Sequence, residues 1–281
     1  MIRQQACAKI NLTFEVLGKR GDGYHEIASV IQPISLCDTL TLEPNDSTLL
    51  SCNVPRLVTP RNLALKAVTL MLRQTGRRRG VAIDIAKSIP LASGLGGGSS
   101  DAAAVLIGLN KLWEAGVSRE NLVTMGADIG SDVPFFTSGA PTAIARGRGE
   151  VIEPLPSPSP LWVVLLCPPL DVPGKTAGMY SRLQPSMYSQ GQHAEALARL
   201  LSRGQSLTDS ICYNVFEGVA LSFFSGLDDY RRRFLAAGAP GVNLSGAGPT
   251  LFSIMASQAR ATELFGVLRK EKLPAYLART L

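Results

Sequence analysis

The run Pro90-Leu91-Ala92-Ser93-Gly94-Leu95-Gly96-Gly97-Gly98-Ser99-Ser100-Asp101 constrains this chain more than any other segment. Before it, Val81, Ile83 and Ile85 alternate with the period of a half-buried strand. After it, Ala102, Val105, Leu106, Leu109, Leu112 and Trp113 recur at helical spacing, with Gly116 as a stop. Glycines therefore arch over the start of a helix. They let the backbone approach a ligand and take positive φ, while the free N–H groups and dipole of the first helical turn favour an anion. Neither common phosphate loop fits. No lysine follows the glycines as G-x-x-x-x-G-K-[ST] requires, and Ser99 stands where G-x-G-x-x-G needs its third glycine. The expectation is a polyphosphate cradle of another type, in which Gly97→Val weakens binding while the fold survives.

The chain's 281 residues suffice for one large domain or two modest ones. Its net charge of +6 suits an anionic small molecule, and no long basic stripe points to nucleic acid. Arg77-Arg78-Arg79 and Arg231-Arg232-Arg233 read as solvated surface. The five cysteines (Cys7, Cys37, Cys52, Cys167, Cys212) are odd in number and scattered, so neither a disulfide framework nor a zinc site is indicated. No signal-type segment opens the chain, and the apolar run Leu161 to Cys167 is too short to span a bilayer. These features predict a reduced cytoplasmic protein, monomer or homodimer, with no membrane or nucleic-acid partner.

Proline at every second residue from Pro154 to Pro160 breaks any helix or central strand and marks a junction between residues 1–155 and 156–281. Period two over residues 8–16 predicts a strand with Ile10, Leu12, Phe14 and Val16 on one face. Lys9 and Asn11 share the other face, away from the core. Helices are predicted near 62–72, 119–127, 194–203, 215–237 and 258–270, and a strand over 162–166. Strands and helices without strict alternation imply an α+β fold.

Several residues could carry chemistry. Lys9 could neutralise a transferring phosphoryl group. Asp132, after Gly130-Ser131 and before Pro134, could accept a proton from an alcohol, or could merely cap a helix. Asp128 and Asp101 are competing carboxylates. Tyr24-His25 follows the turn at Gly21-Asp22-Gly23 and could hold a base by stacking and by its edge. Ser245-Gly246-Ala247-Gly248 reads as an N–H-rich nest for an anion, or as a tight bend.

Three separated motifs carry a resemblance: Ala8-Lys9-Ile10-Asn11-Leu12, Gly18 to Glu26 with its Lys-Arg-Gly-Asp-Gly-Tyr-His core, and Gly130-Ser131-Asp132-Val133-Pro134-Phe135-Phe136. With the glycine loop they resemble the GHMP kinase superfamily, and within it the 4-diphosphocytidyl-2-C-methyl-D-erythritol kinases. The resemblance implies two α+β domains with the active site in the cleft between them. It implies Lys9 and Asp132 as the catalytic pair, Pro90 through Ser100 as the ATP loop, and Asn62 near the nucleotide. It implies Tyr24, His25 and, from the second domain, Tyr180 around the cytosine, with Asn11, Ser245 and Gly246 as further substrate contacts. ATP is the expected co-substrate, accompanied by Mg²⁺, and a cytidine diphosphate methylerythritol the expected acceptor. Another GHMP kinase activity, or a non-catalytic sensor on the same fold, are the alternatives. Cys7 stands where the family commonly has proline, and Ala92-Ser93 replaces a smaller pair.

Overall fold

The computed structural model describes residues 1–205, 207, 211–255 and 257–281. Strand β1 (Ile2–Asn11) is followed, after a bend at Leu12, by β2 (Thr13–Lys19). The single strand predicted over 8–16 is thus two. At the break Thr13 Oγ1 accepts the Val30 N–H and Ser29 Oγ donates to the Thr13 carbonyl, so side chains take over from ladder bonds. The 20-residue β3 (His25–Pro44) is the axis of the first sheet. It pairs antiparallel with β2, with β1, with β5 (Val81–Ala86) and with β6 (Ala143–Gly147) along successive stretches. Strand β4 (Leu49–Cys52) joins β5, β7 (Val151–Pro154) joins β6, and the short β9 (Tyr213–Asn214) lies parallel to β2.

Helices α1 (Leu63–Thr75), α2 (Gly97–Leu112), α3 (Arg119–Ile129) and α4 (Val133–Ser138) pack with this sheet around Leu40, Met71, Ile83, Val105 and Leu109. Burial of each such large side chain contributes roughly 1.5–3 kcal/mol. Asn62 caps α1 through the Ala64 N–H, the arrangement its position before an apolar period predicts. The second sheet is antiparallel, in the order β10 (Asn243–Leu244), β11 (Leu251–Met255), β8 (Trp162–Leu166), β12 (Ala275–Arg279). Ile10, Val30, Val163, Leu165 and Phe252 form a core that joins the two sheets. Helices α5 (Lys175–Tyr180), α6 (Gln192–Ser202), α7 (Glu217–Phe223), α8 (Leu227–Ala236) and α9 (Gln258–Lys270) complete the α+β fold. The helix expected over 215–237 is divided in two, because Phe224 is extended and Gly226 takes φ +88°.

Two features of the structure depart from what the sequence predicts. Cys7 and Cys37 stand opposite each other on β1 and β3 and form a disulfide across the pair. Spacing along the sequence could not show this, since strand register alone brings residues 30 apart together. Second, the face that carries Lys9 and Asn11 is not open. The two residues are 4 % and 2 % exposed.

An irregularity in the β1–β3 ladder explains the second departure. Cys7 faces Cys37 but Lys9 faces Pro33, so a two-residue step on β1 spans four on β3. A regular strand would put Ala6 and Ala8 on one face. Instead Ala6 packs in the core beside α1 and α2, and Ala8, Ile10 and Leu12 pack in the core between the sheets. The step re-aims the strand and brings Lys9 to the helix side, where its side chain lies beside Gly96.

Candidate active site

A cleft of about 1280 Å³ opens beside the glycine loop. That exceeds the ~300–1,000 Å³ of a typical single-ligand pocket, so there is room for two extended ligands. Residues Pro90 to Ser99 line it, with α5, the 246–247 turn and the segment around Tyr24. Its basic groups, Lys9, Lys19, Arg56, Arg61, Lys87, Arg148 and Lys175, outnumber Asp101, Asp132 and Asp171. The chain's positive surplus therefore gathers where it can draw in polyanions.

The loop follows β5 and opens α2, as its sequence context predicts. Gly96 takes φ +73° at the N-cap, and Gly97, Gly98 and Ser99 begin the helix with N–H groups that the helix itself leaves free. Gly94 is required for contact rather than for ligand approach. Its φ is +84°, and a Cβ there would lie 2.5 Å from the Ser245 carbonyl oxygen. The expectation for Gly97 needs correction, because a Cβ at that position would press on Ile89 Cγ2 at 3.0 Å and on Lys87. A branched residue there disturbs the support of the loop. Gly98 is the clean position, with only Leu63 Cδ1 at 3.9 Å. Gly98→Val should raise the ATP KM about tenfold or more, worth ~1.4 kcal/mol, with an unchanged unfolding midpoint. Unchanged ATP affinity would remove the loop from the nucleotide site.

Lys9 Nζ donates to Asn11 Oδ1 at 2.7 Å, and Asn11 Nδ2 donates to Ser29 Oγ at 2.8 Å. The ammonium is thereby fixed, and it faces Asp132 Oδ2 at 3.7 Å. Asp132 precedes α4, yet its side chain makes no cap bond, so the capping reading fails. Its carboxylate is about a third exposed and lines the cleft. The competitors separate by position. Asp128 is exposed and does not line the cleft. Asp101 lines it but is engaged by Lys87 Nζ at 2.6 Å.

Lys87 also donates to Asp38, whose other oxygen accepts the Ser88 and Ile89 N–H groups. This buried Asp38–Lys87–Asp101 group, absent from the sequence reading, anchors both ends of the loop. Burial pushes the Asp101 carboxyl up to about 7, against the pull of Lys87. Burial also works against the Lys87 ammonium, but Asp101 and Asp38 hold its pKa above the ordinary lysine value.

Other expected contacts divide. Tyr24, His25, Tyr180 and Gly246 line the cleft. The His25 ring stacks on Tyr180 at 4.8 Å, Phe216 meets Tyr180 edge-on at 5.0 Å, and the Arg148 guanidinium lies 4.8 Å over the exposed Tyr24 ring. Burial, then Lys19, lowers the His25 pKa, so the imidazole is neutral at pH 7. Asn11, Ser100 and Ser245 do not line the cleft. Asn11 positions Lys9, Ser100 Oγ donates to the Cys7 carbonyl, and Ser245 Oγ donates to Gly94 O at 3.3 Å. Asn62 lines the cleft with both polar ends committed, to Ala64 N–H and to Leu57 O. What it offers a ligand is the placement of α1. Lys175 Nζ, which no motif flagged, donates to Ala92 O at 2.6 Å and to Gly248 O.

Among the described residues no group of three or more His, Cys, Asp or Glu side chains is placed to hold a metal ion. Among the described residues no helix is long and apolar enough to cross a membrane.

Comparison with known proteins agrees with this architecture. The family described as GHMP kinases N terminal domain matches residues 62–140, and GHMP kinases C terminal matches residues 188–274. The chain is 45 % identical to the 4-diphosphocytidyl-2-C-methyl-D-erythritol kinase of Dehalococcoides mccartyi, over 100 % of this chain and 99 % of that protein. It is 40 % identical to the Shouchella clausii protein of the same name, over 94 % and 89 % of the two chains. A crystal structure of 4-(cytidine 5'-diphospho)-2C-methyl-D-erythritol kinase superposes with a TM-score of 0.84 at 36 % identity, covering 99 % of each chain. The L. major mevalonate kinase (TM-score 0.73, 16 % identity, 100 % and 96 % covered) shares the fold alone. With full-length identity at this level, the chain belongs to the 4-diphosphocytidyl-2-C-methyl-D-erythritol kinase family of the GHMP kinases.

Proposed function

We propose that this chain transfers the γ-phosphoryl group of ATP to the 2-hydroxyl of 4-diphosphocytidyl-2-C-methyl-D-erythritol, a step of non-mevalonate isoprenoid precursor synthesis. The observation that carries the reading is the fixed Lys9 ammonium opposite the uncapped Asp132 carboxylate, beside the glycine arch. The N–H groups opening α2 hold the ATP phosphates. Asp132 orients the acceptor hydroxyl and takes its proton. Lys9 neutralises charge that develops on the transferring group. Phosphoryl transfer is catalysed almost wholly by such positioning and electrostatics.

Mg²⁺ suits this donor set as an ion carried in on the nucleotide. It needs only one or two carboxylates when phosphates supply the remaining oxygens. Asp101, whose buried Oδ1 has no partner, lines the cleft one turn into α2 and is the residue that would hold it, directly or through water. The ion would supply charge neutralisation on the phosphates. We assign residues 1–155 and 156–281 to the two domains. The enzyme is read as cytoplasmic, monomeric or homodimeric, without a nucleic-acid partner.

The cytosine is held between Tyr24 and the Tyr180–His25 stack, with the neutral imidazole free to bond the base edge. Stacking on an aromatic is worth roughly 1–3 kcal/mol per base in single-strand recognition. Tyr24→Ala should therefore raise the acceptor KM about tenfold or more and leave ATP affinity alone. Tyr180→Ala should do the same, and it also strips His25 of its stacking partner. Unaltered acceptor KM in both variants would leave the cytidyl assignment without residues. The direct test is a phosphoryl-transfer assay that sets the cytidyl substrate beside mevalonate and homoserine. Transfer to either competitor alone overturns the acceptor, and no transfer to any of them favours a sensor.

A further inference from the structure

We propose that Lys175 is a positioning residue that sets the shape of the phosphate loop, by fastening its Ala92 corner to the Gly248 turn and so tuning ATP affinity. The proposal rests on the reading of residues 90–100 as the ATP loop. Ala92 is a non-glycine residue at φ +51°, a conformation that persists only where its surroundings hold it. Three contacts from the second half of the chain do so. Thr250 N–H donates to Ser93 O at 3.3 Å and Ser245 Oγ to Gly94 O at 3.3 Å. Both are long and neutral. The Lys175 ammonium reaches Ala92 O at 2.6 Å and Gly248 O together, and is the charged member of the set. Bonds to a charged donor are about twice as strong as neutral ones. An ammonium has three N–H donors, and two of them are spent on these carbonyls.

The electrostatic setting makes this fastener sensitive to pH. Lys175 faces Lys9 of β1 across the turn that carries Gly246 and Gly248, and Asp171 lies just before α5. Burial first, then the Lys9 charge, lowers its pKa to about 8, with Asp171 opposing. The ammonium form is therefore complete below about pH 7 and is lost as pH rises through about 8. An arginine at this position would stay charged throughout.

The test is ATP KM at saturating acceptor from pH 6.5 to 9.5, in the full chain and in Lys175→Arg, Lys175→Met and Gly98→Val, with pH range and variants chosen around the lysine titration. In the unaltered chain ATP KM should rise roughly tenfold through pH 8–9, the size of a lost charged hydrogen bond. Lys175→Arg should abolish that rise. Lys175→Met should show a KM raised by a similar factor at every pH, with the change larger in KM than in kcat. The titration of Asp101 falls lower and is common to all four proteins, so the difference between lysine and arginine isolates residue 175. The same rise with pH in Lys175→Arg as in the unaltered chain would overturn the proposal, and that comparison stands even if Lys175→Met fails to fold. A normal ATP KM in folded Lys175→Met, with Gly98→Val impaired, removes Lys175 and keeps the ATP loop. Normal ATP KM in both removes the loop as well.

Discussion

Asp132→Asn should lower kcat by roughly 10²–10⁴-fold, the usual contribution of a positioned proton acceptor. The affinities for ATP and acceptor should stay near those of the unaltered enzyme, because the interaction lost is realised in the transition state. Shape and size are kept, and no cap bond is lost, since the Asp132 side chain makes none. Lys9→Ala should also lower kcat. That variant does more than delete a charge, because it leaves Asn11 Oδ1 without its donor in a buried place. The double variant should fall short of the product of the singles if the pair acts as one unit. Where the transition state is loose, little deprotonation is needed, and Lys9 then carries the larger share. Single-turnover phosphoryl transfer at saturating substrates decides the matter. Near-normal rates in Asp132→Asn, with Asp128→Asn inactive instead, would mean that the wrong carboxylate has been assigned.

The second large effect is on stability. Asp38→Ala should cost about 3–5 kcal/mol, the range for removing one partner from a buried charge group. Asp38 is fully buried and accepts from Lys87 as well as from the Ser88 and Ile89 N–H groups. The variant therefore strands two backbone donors at the foot of the loop and leaves Lys87 to Asp101 alone. Asp38→Asn keeps an acceptor for part of this set and should lose less. Urea-unfolding midpoints and slopes measure both. A loss under about 1 kcal/mol in Asp38→Ala would falsify the anchoring role, since that is the range of an exposed ion pair.

Features whose cause lies within a dozen residues could be read from the sequence alone. The strand, glycine arch and helix from Val81 to Leu112 appear where periodicity puts them, as do β8 and α9. The long helix predicted near 215–237 failed at a glycine that periodicity absorbs but backbone geometry does not. Features that depend on register or on distant carbonyls were hidden. Lys175 bonds carbonyl oxygens 83 and 73 residues away. Asp38 and Lys87 meet across 49 residues and carry no recognisable spacing. The Cys7–Cys37 pair follows from opposite places on two strands. Lys9 was placed on the right side of its strand, but nothing local revealed that a loop, a helix and a turn would close over it.

The irregular step between β1 and β3 also limits which changes of length this chain can absorb. Side chains alternate with period two, so inserting or deleting a single residue slips a strand and exchanges its faces. Between Cys7 and Lys9 the ladder already contains a displacement that moves Ala8 to the inter-sheet core and Lys9 to the helix side. Removing one residue from the stretch between Pro33 and Cys37, or adding one to β1, would turn the ammonium away from Asp132 and carry an apolar neighbour into the cleft. The residue count between these positions is therefore as much a part of the proposed active site as the residues themselves. A gap placed there when this chain is matched to another kinase would signal a different arrangement of the reacting groups, whereas a gap in the proline-rich stretch at 155–161, which belongs to no strand or helix, would leave them in place.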